Sequence, residues 1–222
     1  MSKRDVTSAV GEFFDGYASD FDAIYGHSTQ RNMLGSWIDR NFRRAMMLRF
    51  QETLTRTNQP TVKSVLDVGC GPGRYTVAFA LQGKEVVGVD LAEGMLTLAH
   101  DTIQKAGVES QVKLIAGDYM AIQFDRKFDV ACMMGFFDYI ANPVPLLQKL
   151  ATEVTGSLFA SFPKAGGILA WQRRVRYRLR DCPLWLYKKQ ELEKILVESG
   201  FANQYEIKDF GREWYVCIRI KE

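Results

Sequence analysis

VLDVGCGPGR, residues 65–74, places glycines at 69, 71 and 73 directly behind an apolar, β-favouring run that carries Asp67. Alternating glycines give up conformational restraint in one place, and they allow backbone N–H groups and a following helix N-terminus to come close to a ligand. An ordinary tight turn with glycines for steric reasons is the competing reading. The flanking texture supports the first. Val62–Val68 reads as a buried strand behind the turn signal Asn58-Gln59-Pro60, and Tyr75–Gln82 reads as a helix closed by Gly83.

The same alternation continues downstream. Glu85–Asp90 is a strand, Glu93–Ala106 a helix with Gly107 as C-cap, Val112–Ala116 a third strand and Phe128–Met134 a fourth. Pro143–Thr152 is a helix and Ser157–Phe162 a fifth strand. Repeated βα units predict a parallel sheet with helices on both faces. The carboxyl end breaks the pattern: after a helix over Lys189–Ser199 come strands over Ala202–Phe210 and Glu213–Lys221, joined only by Gly211 and Arg212. A parallel pair needs a crossover of about a dozen residues, so this pair is an antiparallel hairpin.

Ahead of the strand-rich part, Phe13, Phe14, Tyr17, Phe21, Ile24 and Tyr25 recur at helical spacing, and Met33, Leu34, Trp37, Ile38, Phe42, Met46, Phe50 and Leu54 form a second helical stripe. At 222 residues the chain fits one domain, with 47% hydrophobic and 25% charged residues as in ordinary globular proteins. The expected organisation is a helical segment over 1–58, a strand-and-helix core over 62–162 and a carboxyl-terminal segment with the hairpin over 163–222. The first thirty residues carry Asp5, Glu12, Asp15, Asp20 and Asp22, which leaves no apolar signal segment. The longest apolar run, Val130–Ile140, is interrupted by Asp138 and falls far short of the roughly 20 residues of a membrane span. A cytoplasmic protein is expected. Cys70, Cys132, Cys182 and Cys217 lie far apart without a C-x-x-C spacing and only His27 and His100 accompany them, so neither a metal site nor disulfides are expected.

Asp90 ends the second strand twenty-three residues after Asp67. An acidic residue about 20 positions beyond a glycine loop accepts hydrogen bonds from ribose hydroxyls in nucleotide-binding α/β folds. The dinucleotide fingerprint fails, because Arg74 stands where G-x-G-x-x-G counted from Gly69 needs a small residue, and no G-K-[ST] follows for a P-loop. Leu66-Asp67-Val68-Gly69-Cys70-Gly71-Pro72-Gly73 resembles the first motif of class I S-adenosylmethionine-dependent methyltransferases of the small-molecule type. Val87-Gly88-Val89-Asp90-Leu91-Ala92-Glu93-Gly94-Met95-Leu96 is similar to the segment that follows it, and Gly117-Asp118-Tyr119 and Phe128-Asp129-Val130 resemble the next two landmarks. The resemblance covers residues 62–162.

It implies an α/β fold: a Rossmann-like, seven-stranded, mostly parallel sheet with an antiparallel last strand, helices on both faces and an N-terminal helical lid. It implies a lid for residues 1–58, cofactor binding for 62–162 and a substrate wall for 163–222, with S-adenosylmethionine as cofactor. Gly69, Gly71 and Gly73 would pass close to its methionine and ribose parts, with Asp67 near the amino group and Asp90 on both ribose hydroxyls. Leu91 and Met95 would lie against the adenine, Asp118 would accept from its exocyclic amine, Tyr119 would flank it, and Met134 and Gly135 would line the methionine arm. For Leu91, Met95 and Met134 core packing is the equal alternative. Phe14-x-x-Tyr17-Ala18-x-x-Phe21-Asp22-x-x-Tyr25 is similar to the segment that covers the cofactor in small-molecule members, which makes Tyr17 and Tyr25 the lid candidates.

Transfer of a sulfonium methyl releases a neutral thioether, so the protein has to align the reactants, exclude water and remove a proton where the nucleophile carries one. Candidate bases are Asp138, Tyr139 and His27; Asp138 as cap of the next helix is the competing reading, and a carboxylate acceptor needs no base. Residues 171–189 hold Arg173, Arg174, Arg176, Arg178, Arg180, Lys188 and Lys189 against Asp181, a local +6 in a chain of net charge +3, interleaved with Trp171, Tyr177, Trp185 and Tyr187. Such a stretch suits an anionic, partly apolar small molecule, a transient membrane-surface contact, RNA, or a merely solvated face. RNA is the weaker reading. Gly135-Phe136-Phe137-Asp138 stands where amino-group methyltransferases carry N-P-P-Y, and Cys182-Pro183 reverses the order used for cytosine methylation. The resemblance extends to methyltransferases of quinone precursors, of sugar-type substrates and of the magnesium protoporphyrin carboxylate, with oxygen the preferred acceptor. A non-catalytic S-adenosylmethionine-binding protein is the alternative from a different class, and the oligomeric state is left open.

Overall fold

A computed structural model describes residues 33–166 and 183–220, with side chains described from Arg44 onward. A 25-residue helix, α1 (Met33–Thr57), leads into β1 (Ser64–Val68), α2 (Arg74–Leu81), β2 (Glu85–Asp90), α3 (Glu93–Ala106), β3 (Val112–Ala116) and β4 (Phe128–Met133). Then follow α4 (Val144–Glu153), β5 (Val154–Pro163), α5 (Lys189–Glu198), β6 (Tyr205–Asp209) and β7 (Glu213–Arg219). The strands form one sheet in the order β3-β2-β1-β4-β5-β7-β6. The first five pair in parallel. β7 is antiparallel to both β5 and β6, which places the expected hairpin at one edge.

Position in the sheet explains the side-chain pattern of each strand. β1 and β2 are apolar on both faces because helices cover both, whereas β3 and β6 at the edges alternate half-buried and exposed residues. One core layer gathers Leu66, Val89, Met133, Leu158 and Ile218 under Leu147 of α4 and Leu192 of α5. The opposite layer gathers Val65, Val86, Val130, Phe159 and Tyr215 under Phe79 of α2 and Ala99 of α3. β7 contributes Trp214, Val216 and Ile218 to the first layer and Tyr215 and Cys217 to the second, so both sides of its alternation are buried.

Three strands start at other residues than the sequence reading gives. The first strand starts at Ser64, because Val62 N–H closes a turn onto the Gln59 carbonyl. α4 runs straight into β5, which begins at Val154 rather than Ser157. Gly156 reads as a loop residue but lies in a bulge: pairing shifts between Phe128 and Val130, and a Cβ on Gly156 would lie 2.5 Å from the Asp129 carbonyl oxygen. β6 starts at Tyr205 rather than Ala202, after a turn in which Asn203 takes the left-handed conformation (φ 61°).

At the amino edge of the sheet, Asp129 fastens β1 to β4. Its Oδ2 accepts from the Lys63 and Ser64 amides (2.7 and 2.8 Å) and from the Ser64 hydroxyl (3.1 Å). Burial works to raise its pKa, but these donors outweigh it and hold the carboxyl below its ordinary value of 3.8. The stability it contributes is therefore present above about pH 4 and lost as pH falls through its lowered folded pKa. Asp129→Ala should cost about 1–3 kcal/mol in chemical denaturation. Ligand affinity at the opposite edge should be unchanged.

Candidate functional site

The sheet order reverses between β1 and β4, and a crevice outside the carboxyl ends of the strands at such a point is where α/β sheets bind ligands. The glycine loop closes this edge. The Gly69 and Cys70 amides both donate to the Val89 carbonyl (2.8 and 3.1 Å), which clamps the loop onto the end of β2. The Gly71 amide donates to Asp90 Oδ2 at 2.7 Å, and the Ala92 amide to Asp90 Oδ1 at 3.0 Å. Two backbone bonds thus orient a carboxylate whose oxygens offer about four acceptor sites. Gly117 N–H bonds to the Asp90 carbonyl (2.9 Å) and brings the loop after β3 to the same place.

The three glycines serve different needs. A Cβ on Gly69 would lie 2.5 Å from Phe136 Cδ2, so this position lets the loop after β4 pack onto the glycine loop. A Cβ on Gly73 would lie 3.2 Å from Ala99 Cβ, where α2 meets α3. A Cβ on Gly71, whose φ is +53°, would meet none of the described residues within 4 Å. Its left-handed conformation favours glycine, and among the described residues the space before it, beside Asp90, is open.

Under the loop, Asp67 is buried and accepts from the Thr76 hydroxyl at 2.6 Å. Burial pushes its pKa from 3.8 up to about 7; the Thr76 hydroxyl pulls it down and the Asp90 charge adds to the rise. Cys70 is buried and its thiol is pushed well up, first by burial and then by Asp67 and Asp90, so it is no nucleophile.

Asp67, Gly69, Gly71, Gly73 and Asp90 therefore converge, and Leu91, half-buried, follows directly. Met95 is 2% exposed and packs as a core residue. Asp118 is exposed, and its Oδ1 accepts from the Met120 amide (2.9 Å) at the start of a 3₁₀ turn. Tyr119 is 3% exposed, lies in the core layer of α4 and donates its hydroxyl to Glu153, so its ring is packed inward rather than along an open surface. Met134 belongs to the opposite core layer, and Gly135 follows it beside Phe136.

Asp138 and Tyr139 lie in the 3₁₀ turn Phe137–Tyr139 after β4. Phe137 stacks on Phe162 (4.1 Å between centroids), the Asp138 carbonyl accepts from Trp185 N–H (2.9 Å), and the Tyr187 hydroxyl reaches the Ile140 carbonyl (2.9 Å). Asp138 does not cap the next helix. Asn142 Oδ1 accepts from the Val144 amide instead, at 3.2 Å. Asp138 is buried and Tyr139 half-buried. His27, Tyr17 and Tyr25 lie outside the described residues, as does most of the basic stretch.

One cluster escaped the sequence reading. Arg49 of α1 donates from Nη1 to Glu213 Oε2 (2.9 Å) and to Ser161 Oγ (3.1 Å), and Ser161 Oγ also accepts from the Gly135 amide (2.8 Å). The available signal was a cation set among Met46, Phe50 and Leu54 on a helix stripe that otherwise reads as apolar.

The model of the family described as "Methyltransferase domain" matches residues 65–156, which run from β1 into the start of β5. A ubiquinone biosynthesis O-methyltransferase of Stutzerimonas stutzeri is 31% identical over 101 residues, 45% of this chain and 44% of that protein. One from Azoarcus sp. is 35% identical over 101 residues, covering 45% and 43%. The match thus spans less than half the length of these relatives. Among solved structures, magnesium protoporphyrin IX methyltransferase from Synechocystis with bound S-adenosylhomocysteine superposes with a TM-score of 0.74 at 20% identity, covering 97% of this chain and 100% of that one. A 1,6-didemethyltoxoflavin-N1-methyltransferase from Burkholderia thailandensis reaches 0.68 at 16% identity, covering 100% and 92%. The fold and the family match agree: residues 65–156 match a methyltransferase domain, and the chain has the fold of class I S-adenosylmethionine-dependent methyltransferases.

Proposed function

We propose that this chain transfers the methyl group of S-adenosylmethionine to an oxygen of a small, anionic or amphipathic acceptor. The observation that carries the reading is the Asp90 carboxylate, oriented by the Gly71 and Ala92 amides beside the open space in front of Gly71. A vicinal ribose diol needs two acceptors in one plane, and a Cβ at position 71 would fill the space through which it enters. These residues fit an adenosyl group. The cofactor supplies an electrophilic sulfonium methyl whose leaving group needs no proton.

The remaining work falls to the chain. Asp90 accepts the ribose hydroxyls, Asp67 sits under the loop as the counter-charge for the amino group, and the walls at Gly69 and Gly135 orient the amino-acid part. Asp138 and Tyr139 are placed at the end of β4, where an acceptor hydroxyl would lose its proton; an acceptor that arrives as an anion requires neither. The names of the curated relatives support oxygen as acceptor atom. The seven cations within 171–189 support an anionic one.

Titration calorimetry with S-adenosylmethionine, and with NADH as control, tests the reading; binding of NADH alone would overturn it. Asp90→Asn keeps the shape of the group and removes its charge, and it should weaken S-adenosylmethionine binding roughly tenfold to a hundredfold, the size of one or two lost charged hydrogen bonds. An unchanged affinity in the folded variant removes the assignment.

Gly71→Ala should cost about 1–2 kcal/mol of stability, because φ +53° strains an L side chain, and should weaken binding by more than about tenfold in the folded variant, because the added methyl meets no described residue and enters the space of the ligand. Equal affinity in the variant would mean that no ligand passes there.

Asp67 links binding to pH. In the ligand-free protein its raised pKa makes stability fall between about pH 4, where the unfolded carboxyl ionises, and pH 7, where the folded one does. A cation bound beside it favours the ionised form, so binding at pH 6 should release close to one proton, read as a buffer-dependent enthalpy. Affinity should rise with pH and level off above about 7. Asp67→Asn should abolish the release; a variant that still releases the proton would clear Asp67 of the role.

A further inference from the structure

Helix α1 lies in the layer of α2, reaching from Ser161 and Glu213 at its Arg49 end to Gln82 at Thr57. Arg74 lies over the Phe50 ring (5.4 Å), Phe50 meets the Tyr75 ring edge-on (5.0 Å between centroids), and the Thr53 hydroxyl donates to the Tyr215 hydroxyl (3.2 Å). Beside these contacts sits a charge pair, Arg49 with Glu213, whose side chains are 11% and 12% exposed. A pair of this kind is weak evidence for stability, since the cost of dehydrating both charges rivals their attraction. Here the arrangement is worse than neutral, because Glu213 Oε1 is buried with no hydrogen-bond partner among the described residues. Docking of α1 alone does not account for it.

What the pair does hold is Ser161. Arg49 Nη1 donates to Ser161 Oγ and to Glu213 Oε2, so the carboxylate fixes the guanidinium and the guanidinium fixes the hydroxyl oxygen. That oxygen, 1% exposed, also accepts the Gly135 N–H. Two accepted bonds occupy both of its lone pairs, which leaves the hydroxyl a single orientation. Gly135 itself takes φ +74°, and a Cβ there would come within 3.9 Å of both terminal guanidinium nitrogens. The guanidinium therefore faces the backbone at the end of β4 across a gap of about one methyl group, and Ser161 pins its amide.

We propose that Arg49, Glu213 and Ser161 form a positioning unit that sets the backbone at Gly135 and, through it, the wall against the amino-acid arm of S-adenosylmethionine. The inference rests on the reading above that Met134 and Gly135 line that arm. These are positioning residues: none of them needs to touch the cofactor, and each acts through the Gly135 amide. A purely structural unit would lower stability and affect every ligand alike, whereas this one acts only on ligands that carry the arm.

S-adenosylhomocysteine and 5′-methylthioadenosine share the adenosine and the thioether and differ in the amino-acid arm, so their affinities separate the two roles. Ser161→Ala should weaken S-adenosylhomocysteine about fivefold to tenfold, the equivalent of one lost hydrogen bond, and change 5′-methylthioadenosine by less than about twofold. Ser161→Thr, which retains the acceptor oxygen, should restore it. Arg49→Lys keeps a cation for Glu213 but loses the planar fork, and it should show the same selective loss even where Ser161→Ala fails to fold. Equal losses for both ligands, or no loss in a folded variant, overturn the proposal. If the unaltered protein binds both ligands equally well, the placement of the arm at Gly135 is itself wrong, an outcome distinct from a failure of the positioning unit.

Discussion

The hydrogen bond from the Gly71 amide to the Asp90 carboxylate joins the two loops on which the rest of the site depends. It exists only because β1 and β2 run parallel in a register that pairs Val68 with Val89, which ends both strands at the same level and turns both chains toward the same crevice. A shift by one residue would reverse which face each side chain occupies and would separate the glycine loop from its acceptor. The Val89 carbonyl, shared by the Gly69 and Cys70 amides, fixes the same register from the backbone side. Sheet pairing and ligand recognition are in this sense one constraint, and the apolar packing of Val65, Leu66, Val86 and Val89 on the two faces maintains it.

The charges around this constraint are unevenly distributed. Asp67 and Asp90 approach each other closely enough for the second to raise the pKa of the first, and among the described residues the partner of Asp67 beneath the loop is an uncharged hydroxyl, that of Thr76. Of the cations described at the same edge, Arg49 is engaged with Glu213 and Arg74 lies over the Phe50 ring. The crevice is thus better matched to a ligand that carries its own positive charge than to a phosphate, consistent with the absence of a lysine or an additional small residue behind the glycine loop. A sulfonium with an ammonium group on its arm has that charge pattern.

The cofactor half of the molecule was legible because its signals are local. The glycines, Asp90 and the helix capped by Gly107 lie within a few residues of the backbone they shape, and helix Glu93–Ala106 and strands Glu85–Asp90 and Val112–Ala116 carry the boundaries read from the sequence. The readings that differ depend on distant partners. Gly156 resembles a loop residue until the Asp129 carbonyl is placed against it. Glu213 is 164 positions from Arg49, and nothing in the neighbourhood of either announces the other. Asp138 reads as a helix cap because the pattern of a carboxylate before a helix is local, whereas the Trp185 amide on its carbonyl comes from beyond the fifth strand.

Under the proposed function, the same distinction bears on acceptor specificity. The ends of β1 and β2 carry the glycine loop and Asp90, so among the described residues an acceptor would meet the chain beyond β4 and β5. There the turn Phe137–Tyr139 is held by the 183–187 segment, through Trp185 to Asp138 and Tyr187 to Ile140, and Tyr187 is in turn fixed by the Trp214 indole N–H on its carbonyl (3.0 Å). Trp214 is the second residue of β7, directly after Glu213. The start of β7 therefore supports both sides of the proposed reaction space: Glu213 acts on the Gly135 wall through Arg49 and Ser161, and Trp214 acts on the Asp138 turn through Tyr187. A change of acceptor can then be accommodated in the loops beyond the fifth strand, while the first two strands, and the register that holds Asp90 against Gly71, remain as they are.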